Sequence, residues 1–160
     1  MKKILLYFAA ALCLVACKKN NEAKGNYVDL GLSSGTKWKS INEFNPQDSV
    51  NGFYTFDEAL DAFGKKVPTV EQWMELQNEC TWTWTGNGYN VEGPSGESIT
   101  LPGMGYHHGD GNVYGVGSGG YYWSSTPYAT DCAYYLLFNS REVRMMDWFR
   151  RTGYSLRLVR

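Results

Sequence analysis

From Thr81 to the last residue, Arg160, no stretch has the apolar spacing of a helix, so half of the chain has to fold as strands and turns. Thr81-Trp82-Thr83-Trp84 and Tyr89-Asn90-Val91-Glu92 flank Gly86-Asn87-Gly88, the pattern of a β-hairpin. Ser98 to Leu101 is a further short strand. Residues 103–120 hold eight Gly in 18 positions and predict a long loop excursion. Tyr121 to Ser125, Ala133 to Phe138, Val143 to Phe149 and Ser155 to Val159 complete the predicted strands.

Helical signals are confined to the middle of the chain. Thr55-Phe56-Asp57-Glu58 and Thr69-Val70-Glu71-Gln72 are capping boxes, in which the Thr hydroxyl and the third residue's side chain satisfy each other's backbone N–H. Phe56, Leu60 and Phe63 share one face of the first helix, and Gly64 stops it. Trp73, Leu76 and Cys80 form the stripe of the second, where Glu71 suits the positive end of the helix dipole. Before them, Tyr27 to Leu32 and Lys37 to Ile41 alternate like strands around a Ser33–Thr36 turn. The expected class is α+β: two short helices, mixed or antiparallel sheets and long Gly-rich loops.

The N-terminus sets the compartment. Lys2 and Lys3 precede an apolar run, Ile4 to Ala16, that is shorter than the roughly 20 residues a membrane span needs. This is the pattern of a signal peptide, residues 1–16. Its end, Leu14-Val15-Ala16-Cys17, resembles the bacterial lipobox, which implies that Cys17 becomes the acylated first residue and ties the protein to a membrane. Lys18, in place of the Asp that retains such proteins at the inner membrane, favours the outer membrane; its facing stays open, because Lys-Lys-Asn-Asn-Glu is a poor match to surface-export tags. Residues 17–26 are a polar tether whose nine residues after Cys17 reach roughly 15–20 Å if flexible, and residues 27–160 form a single domain. Cleavage removes Lys2 and Lys3 from the 15 basic residues and none of the 16 acidic ones, leaving a net charge of −3. Nothing in that balance points to nucleic acid.

Catalytic and cofactor signatures are missing. Gly115-Val-Gly-Ser-Gly-Gly120 fits GxGxxG, but a strand follows where a dinucleotide site needs a helix. His107 and His108, adjacent on an extended chain, point in opposite directions and are awkward ligands for one ion. No GxSxG or HExxH occurs, and no carboxylate pair stands out. No catalytic residue, metal or cofactor is therefore expected.

Tyr27-Val-Asp-Leu-Gly-Leu-Ser-Ser-Gly-Thr-Lys-Trp38, Val67-Pro-Thr-Val-Glu-Gln-Trp-Met-Glu-Leu76, Cys80-Thr-Trp-Thr-Trp84, Gly120-Tyr-Tyr-Trp-Ser-Ser-Thr126 and Gly153-Tyr-Ser-Leu-Arg-Leu-Val159 together resemble the Fibrobacter succinogenes major paralogous domain, frequent in Bacteroidetes lipoproteins. The C-terminal part also resembles the DUF1566 domain. The resemblance implies a C-type-lectin-like fold with N- and C-terminal strands close together. It does not imply calcium-dependent sugar binding, since the Glu-Pro-Asn, Gln-Pro-Asp and Trp-Asn-Asp motifs are missing. In the family pattern the position of Cys132 is variable while Cys80 recurs, so two free thiols are expected.

Within the predicted strand Val143 to Phe149, Val143 and Met145 match apolar family positions and are expected to face inward. Arg144, Met146 and Trp148 then face outward together, as residue types enriched at interfaces. Arg151 and Tyr154, just beyond, are weaker candidates for the same patch, and Trp148 folding over the sheet edge is the alternative. Arg150, Gly153 and Arg157 match the family and are expected to hold the fold. The reading is a non-enzymatic, lipid-anchored binding or adhesion module for an extracytoplasmic protein or glycan; the rivals are a glycan-active enzyme and a structural subunit of a surface fibre or envelope complex. Cys17→Ser is expected to abolish labelling with a radioactive fatty acid and to release the domain from membranes. A Ser variant that still labels and sediments with membranes would overturn the lipobox reading.

Overall fold

The computed structural model describes residues 26–48 and 51–160. Cys17, the signal peptide and the tether up to Gly25 lie outside the described residues. The fold is α+β and its strand ladders are antiparallel. A first hairpin, β1 (Tyr27–Asp29) with β2 (Lys37–Lys39), precedes helices α1 (Phe56–Phe63) and α2 (Val70–Glu79). A three-stranded sheet follows from β3 (Thr81–Trp84), β4 (Gly88–Glu92) and β5 (Ser98–Pro102). Then come a two-residue-per-strand hairpin, β6 (Tyr106–His107) and β7 (Val113–Tyr114), and a second three-stranded sheet of β8 (Gly119–Pro127), β9 (Cys132–Asn139) and β10 (Glu142–Phe149) in the order β10-β9-β8. No helix of the described residues is long and apolar enough to cross a membrane.

Both capping boxes form. Thr55 and Thr69 accept from the backbone of Glu58 and Gln72, whose side chains return the bond. Gly64 ends α1 at φ 51°, as anticipated, but the chain then winds through one 3₁₀ turn, Gly64–Lys66, before α2. The Gly-rich excursion is not wholly loop either, since β6 and β7 pair within it. Gly105, at φ 72°, accepts no side chain there: a Cβ would stand 2.1 Å from the Tyr114 carbonyl oxygen.

The sheet β10-β9-β8 divides the core in two because alternate residues of a strand face opposite sides. Tyr122, Leu136 and Phe138 join Trp38, Trp73 and Leu101 in one cluster, with Val143 and Met145 packed at its margin. Trp123, Ala133 and Tyr135 join Phe56, Tyr154 and Leu156 in the other, with Leu137 and Met146 at its margin. Indole N–H groups bind across these clusters: Trp73 donates to the carbonyl of Trp123 at 3.2 Å, and Trp123 to that of Tyr54 at 2.8 Å. Cys80 and Cys132 are free thiols, and burial pushes the Cys80 thiol up to about 11.

Ser155–Val159, expected as a strand, is an extended segment without a ladder. Residues 153–156 and 159 make isolated bridges to five different partners: His107, Tyr54, Tyr122, Glu43 and Trp38. Continuous pairing with one neighbour is impossible while the segment passes between several. Arg157 fixes its course. This side chain is 1% exposed and donates to Asn42 Oδ1 (3.0 Å), the Lys39 carbonyl (2.8 Å) and the Thr100 carbonyl (2.6 Å). The termini of the domain meet here, with Lys37 and Arg160 exchanging two backbone bonds of 3.0 Å.

The rigid Phe138 ring lies on Gly120, where a Cβ would stand 2.0 Å from Phe138 Cζ. Gly120→Ala is expected to destabilise the domain by about 1–3 kcal/mol, the usual range for overpacking a core. Urea unfolding checks this, and an unchanged midpoint would show that the contact yields without cost.

Candidate functional site

Arg144, Met146 and Trp148 do share one face of β10, their partners on β9 being Leu137, Tyr135 and Ala133. They are not equally free. Arg144 is exposed and lies 3.3 Å from Glu142, a solvent-facing pair of little energetic weight. Met146 is half-buried against the second core, which extends further under this face than the alternation implied. Trp148 is 45% exposed, so it does not fold away over the sheet edge. Tyr154 is a correction to the predicted patch. It is 2% exposed, packed between Trp123 (ring centroids 4.4 Å) and Tyr135 (4.6 Å), and bridged through its backbone to Tyr54. Burial pushes its phenol far above the ordinary range. It belongs to the second core and not to the patch.

Arg151, the other weaker candidate, has the most distinctive position. β10 ends in a turn closed by the Thr152 N–H on the Phe149 carbonyl, and within it Arg150 and Arg151 part company. Arg150 turns inward: its guanidinium covers the Phe56 ring at 4.7 Å, pairs with Asp57 and donates to the Thr130 carbonyl. Arg151 lies over the Phe149 ring at 4.7 Å and takes part in no ion pair among the described residues.

Three clefts adjoin this side chain. One of about 390 Å³ runs between Trp148, Phe149, His108 and Asp110. One of about 340 Å³ lies between His107, Phe53, Asp48 and Glu58. One of about 560 Å³ lies between Asp57, Asp131, Phe149 and Arg150. Arg151 lines all three. Most of the carboxylates in these walls are engaged by the fold itself: Asp48 accepts from the N–H of Asn51 and Phe53, Glu58 from that of Thr55, and Asp57 from Arg150. Asp131 takes no side-chain hydrogen bond among the described residues, and it stands in the cleft where Arg150 is also found.

The opposite wall comes from the β6–β7 hairpin. Its position is set by Gly153, which exchanges backbone bonds of 2.8 and 2.9 Å with His107; a Cβ on Gly153 would stand 2.9 Å from His107 Cβ. That places Gly153 among the residues that hold the fold. The hairpin tip is closed by Asp110, which accepts from the Asn112 N–H at 2.9 Å and the Tyr114 hydroxyl at 2.8 Å, with His108 Nδ1 at 3.4 Å. No cluster of three His, Cys, Asp or Glu suited to a metal occurs among the described residues.

Phe149, Asp110 and Thr152 were absent from the patch expected from the sequence, and His108 entered only as an awkward metal ligand. Adjacent aromatics at a strand end, followed two positions later by Arg, were the only signal for the first. The approach of residues 108–110 is a tertiary event that depends on the bridge to Gly153.

Residues 82–159 match the model of a domain of unknown function, DUF8237. The match includes His107 to Gly153 of the candidate surface but not Asp48, Phe53, Asp57 or Glu58, and it carries no activity with it. No curated protein matches the chain. No solved structure matches it either.

The Asn112 amide and the Tyr114 hydroxyl hold the Asp110 carboxyl down, to about 2. A lowered carboxyl stabilises the hairpin tip above its unfolded value of 3.8, and that support is lost as pH falls through about 2. The Asn112 amide resonance is therefore expected to titrate with a midpoint near 2, and Asp110→Asn to remove the transition. A midpoint at 3.8 or above would show that the tip is open in solution.

Proposed function

We propose that the chain is a lipid-anchored binding or adhesion module of the outer membrane. In this reading Cys17 carries the acyl chains and the domain has a C-type-lectin-like fold of the Fibrobacter paralogous type. Its Arg151-centred surface binds an extracytoplasmic glycan or protein. Two short helices, antiparallel sheets and a first hairpin bonded to the C-terminus are compatible with that fold and support the assignment. The observation that carries the function is Arg151 itself: an unpaired guanidinium laid on Phe149, where three clefts adjoin, with Trp148 exposed beside it.

That combination suits a ligand with an apolar ring face and an acidic group. Trp148 and Phe149 offer rings to stack against, their centroids 5.5 Å apart and inclined at 68°. The Arg151 fork offers two-point hydrogen bonding to a carboxylate or sulfate. Trp and Arg are also the residues that most often dominate binding energy. Clefts in which four of the five carboxylates are engaged by the fold, with no recognisable nucleophile–base pair, support recognition over catalysis.

Trp148→Ala combined with Arg151→Ala is expected to weaken adhesion to host-cell or glycan surfaces at least about tenfold, as loss of two binding hot spots would. The melting temperature should stay put, because neither side chain is buried. Arg144→Ala, at the far end of the same strand face, serves as a control and should leave adhesion intact. Unchanged adhesion in the double variant, or loss only with unfolding, would overturn the assignment.

A further inference from the structure

Away from Arg151, a fourth cleft of about 310 Å³ opens between the segment after β2 and the end of β5. It shares no lining residue with the other three. Its rim is apolar and exposed: Ile41, Phe44 and Met104 are 40%, 57% and 38% accessible, beside Pro102. Three large apolar side chains left in water around one opening mark a binding surface more than chance exposure. On the rim the Phe44 ring packs against Gly52, where a Cβ would stand 2.3 Å from it.

The floor is polar and carries charge. Ser155 and Arg157, both buried, line it with Asn42. The three partners of Arg157 are neutral oxygens, which engage three of its five N–H groups. Glu43 also lines the cleft, but it is already paired with Lys39. Lys39, Glu43 and Arg157 together therefore leave one uncompensated positive charge. A cation held out of water attracts an anion far more strongly than one at the surface, because neither solvent nor salt screens it well.

We propose that this cleft binds a small amphipathic carboxylic acid, with its apolar tail against Ile41, Phe44 and Met104 and its carboxylate toward Arg157 and Ser155. The volume lies at the lower end of the range for small-molecule sites, and an apolar wall with a few convergent polar groups is their usual construction. The site is independent of the Arg151 surface.

Titration calorimetry on the chain carrying Cys17→Ser, which offers no acyl chain of its own, tests the proposal. Octanoate, octanol and octylammonium present the same tail with different heads. Octanoate is expected to bind at least about tenfold more tightly than octanol, the order of one charge-assisted hydrogen bond, and octylammonium more weakly than either. The methyl resonances of Ile41 and Met104 should shift with octanoate. Met104→Trp, which fills the opening, and Phe44→Asp, which sets a negative charge on its rim, should each weaken octanoate by about tenfold or more. Trp148→Ala with Arg151→Ala should leave octanoate binding unchanged. The proposal is overturned if octanoate fails to bind, if octanol binds equally well, or if neither rim variant weakens it.

Discussion

The backbone of residues 153–160 is shared among six separate parts of the chain. Gly153 bonds to His107, Tyr154 to Tyr54, Ser155 to Tyr121 and Trp123, Leu156 to Glu43, Val159 to Lys66, and Leu158 and Arg160 to β2. Buried backbone polar groups need partners, and here each of those six segments finds part of its own through this one tail. Arg157 reinforces the arrangement from within. Its guanidinium ties the tail to Lys39 and Asn42 on one side and to Thr100 on the other. The two core clusters and both groups of clefts are held in their places by that seam. A contact pattern in which the last residues touch the first is of high sequence separation, and such topologies are slow to form.

The central sheet turns this frame into two environments. β8 and β9 are buried on both faces, so their aromatic residues segregate by parity: Tyr122 goes to one cluster, Trp123 to the other. β10, at the sheet edge, is only half covered, and its terminal residues Trp148 and Phe149 remain in water at 45% and 40% exposure. Trp148 thus stands where the second core runs out of covering chain, while Phe149 takes the opposite parity. Within the second core Tyr135 and Tyr154 are fixed against each other at 4.6 Å.

Local structure was legible in the sequence wherever a single side-chain bond or an alternation specifies it. Thr55 and Thr69 announced both helix starts, Gly64 announced one helix end, and the Trp82–Val91 and Trp84–Tyr89 pairs lie where the hairpin pattern placed them. Ser155–Val159 was misread because alternation reports that a segment is extended with one side wet, and an extended segment bridging many partners alternates like a strand in a ladder. Tyr154 was misjudged for a related reason. Its neighbours Trp123, Tyr135 and Tyr106 arrive from three different strands, and no local pattern encodes their convergence. Trp148 was legible because an edge strand keeps its parity. The isolation of Arg151 was not, since it depends on Arg150 having claimed Asp57.

The bonds between Lys37 and Arg160 have a topological consequence. Arg160 also lies over the Tyr27 ring at 4.6 Å, so the first and last residues of the domain occupy one spot. The domain is in effect a ring with a single nick. A short linker from Arg160 to Asn26 would close it, and new ends cut at an exposed tip such as Gly96 would give a circular permutant with every bridge of the tail retained.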